Sequence, residues 1–123
     1  IGCQAVCFMQ GTVFEGHKRI IDYVEDSCRT FANISDNFVN GEVYNVGGKI
    51  EWEMNIKEYS NLVLKATEKS DKLVKYEKSE AFTTKLKTVD FSKAIKDLDH
   101  NPVINPEEGI KRTVEWMKKT YDL

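Results

Sequence analysis

Long hydrophobic runs are absent from this sequence. No apolar stretch reaches the ~18 residues that a membrane-spanning helix needs, so we expect no membrane partner. The opening "IGCQAVCFMQ" is apolar, but no basic segment precedes it, which is not typical of a signal peptide. The chain begins at Ile1 rather than at methionine, and we therefore expect an excised or processed piece of a longer protein.

Cysteine is scarce, and its three positions are Cys3, Cys7 and Cys28. An odd number of cysteines does not indicate the disulfide framework of a small secreted protein. Reduced thiols in a cytoplasmic protein are therefore expected. Because Cys3, Cys7 and His17 match no common zinc-ligand spacing, no metal site is predicted.

An excess of charge of either sign is also lacking. The 18 basic and 20 acidic residues leave a net charge of −2 at pH 7. A broad nucleic-acid surface needs a basic excess or a basic stripe, so no nucleic-acid partner is expected. Any anion site must be local. The length of 123 residues fits one domain that spans residues 1–123.

Several catalytic and cofactor motifs are missing. The sequence contains no G-x-S-x-G, no G-x-G-x-x-G and no G-x-x-x-x-G-K. His17 and His100 are the two histidines, and His100 lies in the loop "DLDHNP", where a surface position is expected. The Gly47-Gly48 pair is interpreted as a turn that ends a strand. We predict no catalytic residue and no cofactor site within this chain.

The pattern of the chain alternates between strands and helices, which is typical of an α/β layer structure. Strands are predicted at 12–14, 42–46, 72–76 and 85–89, with turns at Gly16 and at Asn40-Gly41. Asp26 is predicted to cap a helix over 27–34. The residues of that helix expected to face the core are Cys28, Phe31 and Ala32.

Three further helices are predicted from capping signals and apolar period. Asn55 and Glu58 form a capping box before a helix whose buried face holds Ile56, Tyr59, Leu62, Val63 and Ala66. Asp90 begins a short helix with Phe91, Ala94, Ile95 and Leu98. Asn105, Pro106 and Glu108 begin the last helix, whose inner stripe is Ile110, Val114, Met117 and Tyr121. Residues 12–121 are therefore expected to form a small two-layer α/β lobe.

Three segments resemble the nucleotide-sugar epimerases and dehydratases, the extended short-chain dehydrogenases. "RIIDYVED" is similar to their R-x-x-x-Y-V-x-D segment, and "GEVYNVGG" to their G-x-x-Y-N-[IVL]-G-G strand. Residues 89–117 resemble their ending, with D-x-S-K-A, L-G-W-x-P and E-E-G-[IL]-x-x-T-V-x-W. In that family these segments lie in the C-terminal, substrate-binding half. The resemblance implies an α/β lobe without its Rossmann half.

The sequence departs from the family in four places. The glycine fingerprint and the catalytic Tyr-x-x-x-Lys pair are absent, so NAD or NADP is expected in a missing N-terminal Rossmann domain. The L-G-W-x-P motif appears as "LDHNP", residues 98–102. The family's R-P segment before D-x-S-K-A is missing, and Lys85 is a nearby basic residue. The first eleven residues match none of these motifs.

The resemblance assigns substrate-binding roles to three residues. Arg19 matches the arginine that binds the diphosphate, and a guanidinium offers paired donors to phosphate oxygens. The alternative is a surface arginine beside Asp22 and Glu25. Asn45 matches an asparagine near the same ligand, with stabilisation of the turn as an equal alternative. Lys85 is predicted to replace the missing second arginine as a point charge.

The resemblance implies the substrate-binding domain of an NAD(P)-dependent nucleotide-sugar epimerase or 4,6-dehydratase. Its partners would be a nucleotide-diphosphate sugar and the missing Rossmann domain, and the chain alone would be inactive. Because that domain is missing, we expect exposed apolar surface and a homo-oligomer formed through it. The alternative is a freestanding, non-catalytic interaction module derived from the same fold.

Overall fold

The computed structural model describes residues 11–78, 82–84 and 87–122. Its strands are β1 (Gly11–Phe14), β2 (Lys18–Arg19), β3 (Met54–Asn55) and β4 (Val74–Glu77). Its helices are α1 (Val24–Asn37), α2 (Ile56–Thr67), α3 (Ser92–Leu98) and α4 (Pro106–Tyr121), with 3-10 turns at Ile50–Trp52 and Asp71–Leu73. The mixture of helices with short strands confirms the predicted α/β class.

The described residues form two compact units. The first unit draws on residues up to 19, on 54–87 and on the chain after 106. The second unit contains 20–53 and 88–106. Consequently α2, β4 and nearly all of α4 belong to the first unit, whereas α1 and α3 belong to the second.

A parallel strand pair forms the centre of the first unit. β1 pairs with β4 from Gly11 opposite Val74 to Phe14 opposite Glu77, which confirms the predicted strand at 12–14. The pairing continues at Gly16, whose N–H donates to the Lys78 carbonyl at 3.0 Å. A Cβ atom on Gly16 would lie 2.5 Å from that oxygen. The turn therefore requires glycine at this position.

The core of the first unit is built by α2 and α4. Val13 is fully buried, and Tyr59 and Val63 on α2 are buried as predicted. Val114 and Met117 on α4 are 3% and 6% exposed, and they pack with the partly buried Ala66 and Ile110. Tyr121 was predicted to lie inward, but it is 58% exposed and its ring lies edge-on to Trp116.

The predicted capping box is present at the start of α2. The Asn55 side chain accepts from the Glu58 N–H at 2.8 Å, and the Glu58 carboxylate accepts from the Asn55 N–H at 2.8 Å. These bonds satisfy two donors that the helix itself leaves without acceptors. Asn55 is also the last residue of β3, where it pairs with Lys18 of β2, so the strand ends at the residue that caps α2.

The second unit departs from prediction at α1. The helix begins at Val24, and Asp26 lies in its first turn instead of capping it. The predicted inward residues Cys28, Phe31 and Ala32 are all exposed. Asp26 and Thr30 are buried instead. The helix was located correctly, but the residues that it buries are polar, so its inner face was assigned to the wrong side.

Two predicted strands are not formed as expected. Residues 42–46 have no strand pairing, although the turn before them is present, with Gly41 at φ 83°. Lys85 and Leu86 lie outside the described residues, and 87–89 are not in a strand. Asp90 was predicted to cap α3, but the N-cap of that helix is Phe91. Asp90 lies one residue earlier, and its carboxylate accepts from the Ser92 N–H at 2.9 Å. Ala94 and Leu98 are fully buried, whereas Ile95 is exposed.

Replacing Asn55 with alanine should destabilise the first unit by about 1 kcal/mol, because the N–H of Glu58 would lose its acceptor. Asn61 provides a matched control, since it is an exposed asparagine inside the same helix. Asn61→Ala should leave stability unchanged or raise it by about 0.5 kcal/mol through helix propensity. Urea unfolding of both variants measures the difference. Equal midpoints would contradict a stabilising role for the capping box.

Candidate functional site

Arg19 is the last residue of β2, three positions after the Gly16 turn. Its side chain is half-buried, and the guanidinium donates to the main-chain carbonyls of Lys18 at 2.6 Å and Thr84 at 2.9 Å. Backbone pairing with Met54 fixes its Cα position. The guanidinium is thus placed at a strand end by main-chain groups, which is a geometry suited to presenting N–H donors to an anion.

Asn45 belongs to the second unit and is exposed. Its side-chain amide donates to the main-chain carbonyl of Asp90 at 3.3 Å. This bond joins the segment before the glycine pair to Asp90, which lies two positions before α3. Lys85, the third predicted residue, lies outside the described residues. Arg19 and Asn45 therefore fall in separate units.

His17 is only 4% exposed, so its ring is not a surface group. It stacks on Phe14 with ring centroids 5.9 Å apart, and its carbonyl accepts from the Ile56 N–H at 3.0 Å. Its Nε2 atom has no hydrogen-bond partner among the described residues. His17 thus packs the strand end next to Lys18 and helps to fix the position of α2.

His100 organises the second unit, contrary to the predicted surface position. The ring is 3% exposed, with Nδ1 lying 2.7 Å from the Thr30 hydroxyl and Nε2 lying 2.7 Å from the Gly47 carbonyl. Because a carbonyl only accepts, Nε2 donates to Gly47, while Nδ1 and the Thr30 hydroxyl share the second hydrogen bond. One side chain therefore connects α1, the glycine pair and the loop after α3.

Asp26 makes a second buried link from α1 to that loop. Its carboxylate is 2% exposed, and Oδ2 accepts from the N–H groups of Val103 at 3.1 Å and Ile104 at 2.9 Å. Arg29 donates to the other oxygen. Hydrogen bonds to an ionised acceptor contribute roughly 1.5–3 kcal/mol each, which offsets the cost of burying the carboxylate. The aspartate of the "YVED" segment is thus a structural residue.

The glycine pair is required by close packing. A Cβ atom on Gly47 would lie 2.9 Å from the Phe91 ring, and one on Gly48 would lie 2.8 Å from the Ile21 carbonyl. Phe91 in turn meets the His100 ring edge-on at 6.0 Å. Both glycines allow protein groups to approach the backbone, so the pair does not provide a phosphate-binding loop.

A pocket of about 560 Å³ opens beside the glycine pair within the second unit. Its lining includes Gly48, Lys49, Ile50, Glu51, Asp90, Phe91, Ser92, Ile95, Asp99, His100, Asn101 and Pro102. The Ser92 N–H donates to Asp90 and thereby lowers the pKa of that carboxyl, and the Ser92 hydroxyl lowers it further. The negative charge of Asp90 lies before the N-terminus of α3, where it interacts favourably with the helix dipole.

The residues that the structure describes contain no group of three or more histidine, cysteine, aspartate or glutamate side chains arranged to hold a metal ion. No helix among them is both long enough and apolar enough to cross a membrane.

One sequence signal pointed to His100. The resembled L-G-W-x-P motif has tryptophan, a large ring, where this chain has His100. It also has glycine where this chain has Asp99, and Asp99 adopts the left-handed conformation with φ 51°. In this chain a buried ring therefore follows a residue in the left-handed conformation.

Replacing Thr30 with valine should lower the free energy of unfolding by about 1–3 kcal/mol, because the His100 Nδ1 atom would stay buried without its hydrogen-bond partner. Thr113→Val is the matched control, since Thr113 is an exposed helical threonine whose hydroxyl donates to the Gly109 carbonyl. The control should change stability by less than about 0.5 kcal/mol. Chemical denaturation compares the two variants. An unchanged free energy of unfolding for Thr30→Val would show that this bond does not stabilise the protein.

No family model and no curated protein matches the chain. Among solved structures, UDP-glucose 4-epimerase from Thermotoga maritima with UDP-glucose is similar over 98% of the chain, with 25% identity and a TM-score of 0.82. A UDP-glucuronic acid 4-epimerase variant from Bacillus cereus in complex with a fluorinated UDP-sugar and NAD gives 26% identity and a TM-score of 0.79 over 98%. A dTDP-glucose 4,6-dehydratase from Streptomyces venezuelae shares the fold, with a TM-score of 0.83 at 19% identity over 98%.

The chain spans 38% of the length of each of these three proteins. Nearly the whole chain superposes on a part of enzymes that are more than twice as long. The motifs in "RIIDYVED", "GEVYNVGG" and residues 89–117 resemble the same enzymes. In fold, and in the three motifs named above, the chain is therefore similar to nucleotide-sugar epimerases and dehydratases of known structure.

Proposed function

We propose that this chain is the C-terminal, substrate-binding domain of an NAD(P)-dependent nucleotide-sugar epimerase or 4,6-dehydratase. The observation that carries the proposal is the similarity over 98% of the chain to an epimerase crystallised with UDP-glucose. The position of Arg19 at a strand end supports a grip on the nucleotide diphosphate. The proposal concerns binding, because the chemistry belongs to a part of the enzyme that this sequence does not contain.

The proposed grip depends on the geometry of Arg19. A planar guanidinium donates two parallel N–H bonds to phosphate oxygens, which a lysine ammonium cannot reproduce. The Lys18 and Thr84 carbonyls hold the group at the end of β2 and reduce the side-chain entropy lost on binding. Asn45 would contribute a side-chain amide, and Lys85 a second positive charge.

The residues of this chain do not fit a dinucleotide. Its single Gly-Gly pair, Gly47-Gly48, faces Phe91 and Ile21, so no backbone approach to a phosphate is available there. The cofactor would therefore be held by the rest of the enzyme, where it would supply hydride transfer. Within the proposal, this chain binds and orients the substrate and contributes no catalytic group.

The chain alone should show no epimerase or dehydratase activity. It lacks the Tyr-x-x-x-Lys pair and a dinucleotide fingerprint, so neither proton transfer nor hydride transfer can be supported. Incubation with NAD and either UDP-glucose or dTDP-glucose, followed by chromatography of the sugar nucleotides, measures this. The Thermotoga maritima epimerase serves as the positive control with UDP-glucose. Reproducible turnover by the chain would show that its catalytic groups had been misassigned.

Arg19→Ala should weaken the binding of UDP by ~1.5–3 kcal/mol, or roughly tenfold to a hundredfold, because a charge-assisted contact is lost. Arg19→Lys should recover only part of that affinity, since the ammonium lacks the planar fork. Binding should also weaken as salt is added. Titration calorimetry, or chemical shifts where affinity is low, gives the three dissociation constants.

The control for this series is Arg112→Ala, which removes an arginine of the same unit. Arg112 lies on α4 and donates to Glu108 at 2.7 Å, so its loss should not alter UDP affinity. Circular dichroism should show the same fold for all four proteins. Equal affinity for wild type, Arg19→Ala and Arg19→Lys would show that Arg19 has only a structural role at the strand end and makes no contact with the diphosphate.

A further inference from the structure

The pocket beside the glycine pair lies wholly within the second unit, and its surface is mainly apolar. Phe91 and Pro102 are its buried apolar residues, whereas Ile50 and Ile95 are 61% and 57% exposed. At about 560 Å³, its volume falls in the range of sites that hold small molecules. Two large aliphatic side chains left exposed around one concave surface indicate a place where an apolar group binds.

Carboxylates supply most of the charge around this apolar surface. Glu51, Asp90 and Asp99 all line the pocket, and Glu51 and Asp99 have no hydrogen bond or ion pair with any described residue. A main-chain N–H donates to Asp90 and lowers the pKa of that carboxyl, which keeps it ionised. Lys49 is the basic residue of the lining, and its ammonium lies 5.5 Å from the ring centroid of Trp52, which is outside the lining. The pocket therefore has an excess of negative charge.

The second unit as a whole reinforces this negative charge. Residues 20–53 and 88–106 contain ten acidic and four basic residues, which gives the unit a net charge of −6. A cleft with apolar walls focuses the field of its own carboxylates and raises the local concentration of ions of opposite sign. Such a pocket repels an anion, whereas a neutral ligand gains nothing from the carboxylates. Charge complementarity therefore selects a cation.

We propose that this pocket binds a small organic cation with an apolar body. The body would contact Phe91 and Ile95, and the ammonium group would pair with the carboxylates of Glu51 and Asp99. A free small molecule is favoured over a partner protein, because the pocket is a local cavity of ligand size, whereas peptides are bound along an extended groove or a sheet edge. The inference goes beyond the proposed function, since it involves neither Arg19 nor a nucleotide diphosphate.

Three probes that differ only in their charged end test the proposal. Phenethylammonium, phenethyl alcohol and hydrocinnamate place a cation, a neutral hydroxyl and an anion on the same phenyl group and two-carbon stem. Titration of the isotope-labelled chain, followed by amide chemical shifts, gives the three dissociation constants. The cation should bind about threefold more tightly than the alcohol and about tenfold more tightly than the anion, as expected for partly exposed charges. The amides that shift should include Ser92, Ile95 and Asn101.

Two substitutions remove charge from the pocket without changing its shape. Asp99→Asn and Glu51→Gln should each weaken the binding of phenethylammonium about threefold and leave that of phenethyl alcohol unchanged. Asparagine also adopts the left-handed conformation, so the φ of 51° at residue 99 is retained. Asp36→Asn is the matched control, because Asp36 is an exposed carboxylate of the same unit outside the pocket. It changes the net charge equally and should not alter the affinity.

Ile95→Ala tests the apolar part of the pocket. Because the side chain is already more than half exposed, the fold should survive the change. All three probes should bind about threefold more weakly, since they share the phenyl group, and the order of their affinities should stay the same. Val103→Ala is the control, because Val103 is an exposed aliphatic residue of the same unit outside this pocket. It should leave all three dissociation constants unchanged.

Several results would overturn the inference. No saturable binding of phenethylammonium, equal affinities for the three probes, or equal effects of Asp99→Asn and Asp36→Asn would exclude a cation site. Tighter binding of an acetylated and amidated Gly-Lys-Gly peptide than of phenethylammonium would assign the pocket to a partner protein. Displacement of phenethylammonium by UDP would make the pocket part of a nucleotide site. Failure of UDP to bind, with the response to phenethylammonium intact, would contradict only the proposed function.

Discussion

The buried imidazole of His100 holds the second unit together. It bonds Thr30 on α1 through one nitrogen and Gly47 through the other, while Phe91 packs against its ring. An imidazole ring carries two nitrogen atoms and can therefore bond to two groups on opposite sides of the ring at the same time, which no aliphatic side chain can do. The orientation of α1, the approach of the glycine pair and the loop after α3 all depend on this residue.

Local signals predicted the first unit well. The capping box at Asn55 and Glu58, the turn at Gly16 and the buried Val114 and Met117 depend on residues close in sequence or on a simple apolar period. The second unit was predicted less well, because the buried contacts of α1 are polar and distant in sequence. Asp26 reaches backbone groups more than seventy residues away, so the sequence pattern could not show which face of α1 is buried.

The strand predicted at 42–46 illustrates a different limit. A β-prone sequence states only that the segment suits a sheet, whereas a strand exists only where a partner offers a ladder. The candidate site had a similar limit. The resemblance selected Arg19, and the structure shows that this residue ends β2, a strand that was not predicted. Asn45, identified by the same resemblance, is bonded to the Asp90 carbonyl, a contact that no local pattern encodes.

Because Gly47 and Phe91 are in contact, the substitutions that each position tolerates depend on the residue at the other position. A methyl group at residue 47 would meet the aromatic ring at 2.9 Å, so alanine there requires a smaller side chain at residue 91. Neither substitution is favourable first, because one introduces a clash and the other leaves a cavity beside His100. The two positions should therefore covary in related sequences, and the glycine should persist wherever phenylalanine is retained.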